Sequence, residues 1–108
     1  MIDIPKTEIA NKKSVPAELR AVIHIFSADD ELRSKALPFV DINKHEVNWY
    51  GLSQNYFGSG HSSAIMWAKS IWSASQPKHF DLFERSSSMD STVRKSVLEA
   101  LAISWGLL

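Results

Sequence analysis

Gly58-Ser-Gly-His-Ser-Ser-Ala-Ile-Met-Trp-Ala-Lys-Ser-Ile-Trp-Ser-Ala-Ser75 carries the plainest periodicity in the chain. Ala64, Ile65, Ala68, Ile71 and Trp72 recur at the i, i+1, i+4, i+7 and i+8 spacing of one broad helical face. Ser59 or Ser62 is the expected cap. Pro77 closes the linker that follows. Met66 and Trp67 lie off the main stripe. Such residues either fill a second interface between helices or, where exposed, mark a contact patch.

Upstream, residues 51–60 hold three glycines, two aromatics and two amides, which reads as a loop or broken turn. Asp41 is expected to cap a short helix carrying Ile42, His45 and Trp49, broken by Gly51. Ser27 followed by Asp29, Asp30 and Glu31 reads as another helix start, with acids near the positive end of the dipole. Leu32 and Ala36 face inward, and Pro38 ends that segment. Earlier still, Pro16 suits a first helical turn, and Leu19, Val22, Ile23 and Phe26 fall at helical spacing. Ile25 adds apolar surface beyond that stripe, so a strand over 21–26 stays open. Residues 1–14 read as a polar N-terminal arm and 15–108 as the helical domain.

Downstream, residues 79–85 form a short amphipathic turn with Phe80, Leu82 and Phe83, and Ser86-Ser87-Ser88 a spacer. Asp90 or Ser91 caps a last helix whose expected buried stripe is Val93, Val97, Leu98, Leu101 and Trp105. Gly106 stands where a C-terminal glycine cap belongs. No Asn-Gly or Asp-Gly hairpin signal separates two alternating segments. The sequence therefore predicts an all-α, single-domain bundle of about five or six short helices.

With 108 residues, 44% hydrophobic and 22% charged, the chain has the composition of an ordinary globular domain rather than a disordered one. Its formal net charge is zero, without the basic excess that phosphate neutralisation favours, so no direct nucleic-acid binding is expected. Lys12-Lys13 and Arg94-Lys95 are the local basic pairs. The absence of cysteine removes disulfide, thiol and cysteine–metal chemistry. No signal peptide is read at the start, and no run approaches the roughly 20 apolar residues of a membrane span. The expected compartment is the cytoplasm.

Gly60-His61-Ser62-Ser63-Ala64 imitates the nucleophile elbow Gly-x-Ser-x-Gly, which sets a serine on a sharp strand-to-helix turn. Here no strand precedes it, and a helix start built of small residues accounts for the same string. A phosphate loop would need a Lys-Ser/Thr that is missing. The four histidines, His24, His45, His61 and His79, never fall at the i, i+4 spacing of a helical metal site, so neither metal nor cofactor is expected. Asp29-Asp30-Glu31 is the one carboxylate cluster, and helix capping already explains it. Its functional alternative is an acidic contact surface. Trp49, Tyr50, Tyr56 and Phe57 flank the glycines. They read as core plugs or, since Trp and Tyr offer large contact area at small entropic loss, as binding anchors.

Gly58-Ser-Gly-His-Ser-Ser-Ala-Ile-Met-Trp and Leu98-Glu-Ala-Leu-Ala-Ile-Ser-Trp-Gly give the chain a resemblance to the compact helical immunity proteins of bacterial contact-dependent growth inhibition systems, the type paired with ribonuclease-A-like toxins. The resemblance implies a non-enzymatic protein that binds a cognate toxin and covers its active site. Asp29, Asp30 and Glu31 would then face a basic cleft, and Trp49, Tyr50, Tyr56 and Phe57 would form the desolvated centre. Three alternatives stand beside it. One is a phage- or plasmid-type regulatory adaptor for a host protein. Another is a small serine hydrolase built on Ser62 and His61. A helix-turn-helix is the third, though Ser27–Leu37 puts acids where a recognition helix needs basic or amide side chains.

Overall fold

Pro16 cannot donate a backbone hydrogen bond and fixes its own φ, so it stands comfortably at the N-cap of the first helix, α1 (Ala17–Phe26). In this computed structural model, which describes residues 15–79 and 81–108, the stretch left open between helix and strand is helical throughout. Leu19, Ala21, Val22, Ile25 and Phe26 are wholly buried. Each of the large side chains among them contributes about 1.5–3 kcal/mol by leaving water, which outweighs the mild reluctance of β-branched residues to be helical. The N-terminal arm, Lys12-Lys13 and Phe80 lie outside the described residues.

Ser27 does not open the second helix. It closes α1, with its hydroxyl returned to the carbonyl of Ile23 (2.7 Å). The cap is Asp29, whose Oδ1 accepts the Leu32 amide at 2.9 Å and starts α2 (Asp30–Lys35). Three residues, 27–29, separate the helices because both ends need their own side-chain partner. A 3₁₀ turn, Leu37–Phe39, follows at Pro38.

The helix expected from Asp41 is instead a hairpin. Strands β1 (Val40–Asp41) and β2 (Glu46–Val47) pair antiparallel, Val40 opposite Val47 and Asp41 opposite Glu46. Asp41 Oδ1 accepts the amides of Asn43 (3.1 Å) and Lys44 (3.0 Å). The chemistry is that of a helix cap, but His45 then takes the left-handed conformation (φ 55°) and turns the chain back. Trp49 begins a separate helix, α3 (Trp49–Ser53), capped by Asn48. Gly51 lies inside α3 rather than breaking it. A Cβ there would stand 2.6 Å from the Phe39 ring, so the glycine admits the close approach of the 3₁₀ turn.

The quoted stretch forms the longest helix, α4 (Ser59–Ser73). Neither Ser59 nor Ser62 caps it; Gly58 holds that position without a side-chain bond. Trp67 is buried and fills a second interface. Its Nε1 donates to Ser86 Oγ (2.7 Å), and its ring meets Phe83 edge-on at 5.4 Å. Asp81 caps the one-turn α5 (Leu82–Arg85), which runs into a 3₁₀ turn, Ser86–Ser88. Asp90 caps α6 (Ser91–Ser104) through the Val93 amide at 2.9 Å. Gly106 (φ 75°) ends it, with Gly106 N donating to Ile103 O and Leu107 N to Ala102 O, a Schellman turn.

Helices α1, α4 and α6 pack on one another around one apolar core. α2, the hairpin, α3 and α5 lie around that trio. The described residues thus form six α-helices and a single two-stranded ribbon, a mostly-α domain. No helix among them is long and apolar enough to cross a membrane.

Candidate functional site

The carboxylate run and the glycine-flanked helix start, separated by about thirty positions, meet at His61. Asp29 spends one oxygen on capping α2. Its other, Oδ2, lies 2.7 Å from His61 Nε2, while Glu31 Oε2 lies 3.0 Å from His61 Nδ1. A neutral imidazole would leave one ring nitrogen as an acceptor facing an anion. Both bonds form fully only when His61 is an imidazolium donating to each side.

Burial is the largest single influence on His61 and lowers its pKa, but the hydrogen bonds and charges of Asp29 and Glu31 together outweigh it, and the net shift is upward. For Asp29, burial likewise acts first and raises the pKa. The Leu32 amide, the His61 hydrogen bond and the charges of His61 and Arg33 outweigh it and hold Asp29 below its ordinary range. Lys35 Nζ stands 3.5 Å from Glu31 Oε2, 3.5 Å from the Tyr56 carbonyl and 5.8 Å from the centre of the Phe57 ring. Asp30 pairs with Arg33. All three acids of the cluster therefore have cationic partners within the chain.

Sequence reasoning gave His61 no such role. Both of its partners come from a distant segment, and nothing local announces them. Next to it a shallow recess is lined by Glu31, Lys35, Tyr56, Gly60, His61 and Asp90, among others.

The four aromatics divide. Trp49 is half-buried, its ring 6.1 Å from Phe26 and 6.4 Å from Trp72, so it plugs the core beneath α3. Its Nε1 is buried without a hydrogen-bond partner. Phe57 is half-buried under Lys35. Tyr50 and Tyr56 project into solvent, 76% and 84% exposed.

The elbow-like string has a structural use. A Cβ at Gly60 would fall 2.6 Å from the Ser88 carbonyl, so Gly60 admits the Ser86–Ser88 turn against α4. Ser63 Oγ lies 2.9 Å from Ser59 O, 3.0 Å from Arg85 O and 3.0 Å from Ser88 Oγ, making the supposed spacer a polar seam. Ser62 Oγ bonds the Phe57 carbonyl at 3.3 Å, and both ring nitrogens of His61 are taken up by carboxylates. Ser62 and His61 do not form a nucleophile–base pair.

Elsewhere, His24 Nε2 lies 2.8 Å from Glu99 Oε1 and ties α1 to α6. Among the described residues no group of three His, Cys, Asp or Glu side chains is placed to hold a metal ion.

The last helix departs from its expected stripe. Val93, Ser96, Val97 and Ala100 face the core, while Leu98 and Trp105 are 68% and 70% exposed. Ser96 takes the buried place expected of Leu98, so the helix is rotated about its axis relative to the expected stripe and leaves a second apolar side outward. Compared with known proteins, the chain matches no family model, no curated protein and no solved structure.

Proposed function

We propose that this chain is a stoichiometric inhibitor of the immunity type, which binds a bacterial protein toxin, a nuclease, and covers its active site. The observation that carries a binding role is the outward projection of Tyr50 and Tyr56 from a frame anchored in the core by Trp49 and Phe57. A rigid aromatic with few rotatable bonds loses little entropy when it is covered, and its hydroxyl still finds a polar partner. Asp30 and the exposed edge of Glu31 supply acidic groups. Since each is already paired within the chain, they guide orientation more than they add affinity. Asp29 and His61 act one step back, fixing α2 against α4. The choice of a nuclease toxin is supported by the resemblance of residues 58–67 and 98–106 to immunity proteins.

The test is capture from the source cell with tagged wild-type protein and with a Tyr50→Ser/Tyr56→Ser chain. The expected result is one protein with nuclease activity, held one-to-one and silenced by the wild type. The double variant should lose at least about tenfold in affinity while keeping its melting temperature. Capture of a partner whose nuclease activity continues unhindered would sink the proposal, as would equal binding by both chains.

A further inference from the structure

Helix α6 has one apolar face more than the core uses. Leu98, Leu101 and Trp105 follow at i, i+3 and i+7 and share a side of the helix. Leu98 and Trp105 stand in solvent at 68% and 70% exposure. The stripe continues into a groove whose walls include Trp67, Ile71, Trp72, Phe83, Leu101 and Trp105, with Phe83 itself 77% exposed. A run of large apolar side chains of this kind differs in character from the tyrosine-bearing surface around Tyr56. Transient partners meet surfaces of mixed polarity, whereas interfaces between copies of one chain are the more apolar class.

The charges at the two ends of the stripe say which occupant fits. Lys95 lies one turn before Leu98, at the N-terminal end. Glu18 lines the groove beside Trp105, at the C-terminal end. Among the described residues neither makes an ion pair. Arg94, the neighbour of Lys95, is by contrast engaged with the carbonyls of Ser86 and Ser87. A face with a cation at one end and an anion at the other is complementary to itself when turned end for end. A two-fold axis performs that rotation and makes each contact twice. The zero net charge of the chain removes the long-range repulsion that would oppose self-association.

We propose that two copies of this chain associate through this face, α6 lying antiparallel on α6 about a two-fold axis near Leu101, with Lys95 of each copy facing Glu18 of the other. The pairing is separate from the toxin-binding role proposed above.

Sedimentation equilibrium of the full chain up to roughly 100 μM tests it. A dimer with a dissociation constant at or below about 10 μM is expected. Leu98→Asp, at an exposed position, is expected to raise that constant at least about tenfold with an unchanged far-ultraviolet circular dichroism spectrum. Lys95→Glu and Glu18→Lys are each expected to weaken the dimer, and the chain carrying both to recover it, because the swapped charges again meet their opposites. These surface variants decide the matter if Leu98→Asp does not fold. A monomer over the whole range overturns the proposal, and so does a dimer indifferent to Leu98→Asp. Failure of the doubly swapped chain to recover overturns the antiparallel arrangement. If hydrogen exchange at 98–105 slows only when a captured partner is added to a monomeric chain, the face belongs to that partner and the proposal also fails.

Discussion

His61 joins two helices through a hydrogen bond from each ring nitrogen to a carboxylate, and its stability contribution must therefore depend on pH. Its folded pKa is raised above the ordinary 6.5, so the contribution is complete below pH 6.5 and is lost as pH climbs through the folded value. Asp29 runs the other way. Its folded pKa is depressed below 3.8, so its contribution is complete above pH 3.8 and disappears as pH falls through the folded value. The cluster is at full strength between those two limits. The side chains of His61, Asp29 and Glu31 are 20%, 28% and 41% exposed, and solvent screens them, so the change amounts to a few degrees of melting temperature. His61→Gln keeps one hydrogen bond and does not titrate. The difference in melting temperature between wild type and His61→Gln should shrink as pH rises from 6 to 9, and a constant difference would show that the imidazolium is not the link. Ala74 offers a test of another kind. It ends α4 with φ 53° and ψ 40°, a left-handed conformation that an L-residue with a Cβ adopts at a cost of about 1 kcal/mol. Ala74→Gly should stabilise the fold by about 0.5–1 kcal/mol in urea melts, and a loss of stability would contradict the strain. At this scale the sequence is readable where a side chain serves its own neighbours. The helix-start role of Asp29, the capping by Asp90 and the closing glycine at 106 follow from local spacing. The His61 cluster does not, because its ligands are 30 and 32 positions away.

Between elements, the seam joining α4 to the Ser86–Ser88 turn shows why small residues crowd residues 58–63. In an exposed helix, glycine to alanine ordinarily stabilises by about 0.5–1 kcal/mol. At Gly60 the sign should reverse, because the new methyl meets a backbone carbonyl that cannot swing aside. Gly60→Ala is expected to destabilise by about 1–3 kcal/mol in denaturant melts. Gly58→Ser, at an N-cap with open space around it, should gain a few tenths of a kcal/mol. Stabilisation by Gly60→Ala would mean that the turn does not press on α4. Elements were legible where periodicity ran long. The spacing of Leu19, Val22 and Phe26 marks α1, although Ile25 leaves a strand over 21–26 open until the core is in place, and α4 and α6 are found from their spacing as well. The hairpin was not, since Asp41 offers its oxygen to following amides whether the chain continues as a helix or reverses. That choice fell to His45 and to the pairing of Val40 with Val47, neither of which a turn-residue pattern encodes.

Across the whole molecule, burial is uneven, and stability should be uneven with it. α1 is covered by both α4 and α6, and its inward side chains are all at zero exposure. The ribbon has two residues in each strand, and Val40 and Val47 are only half-buried. A sheet so short cannot be stable alone, so it holds only while Phe39 and Trp49 stay docked on the core. The second apolar side of α6 belongs to this scale as well. Its composition was visible in the sequence, but which side turns inward depends on where α1 crosses it, and no local pattern specifies that crossing. Amides in the centres of α1 and α6, about Val22–Phe26 and Val97–Leu101, should therefore exchange only through global unfolding, with opening free energies near the total stability of about 5–15 kcal/mol. Amides of residues 42–46 and 54–58 should exchange through local opening at a fraction of that value, with a weaker dependence on denaturant because little surface is exposed when they open. Hydrogen exchange read by mass spectrometry across a urea series distinguishes the two classes. If the ribbon shared the denaturant slope and the protection of α1, the three-helix core would not be the independent unit, and the exposed Tyr50 within α3 and Tyr56 just after it would stand on a platform as rigid as the core itself.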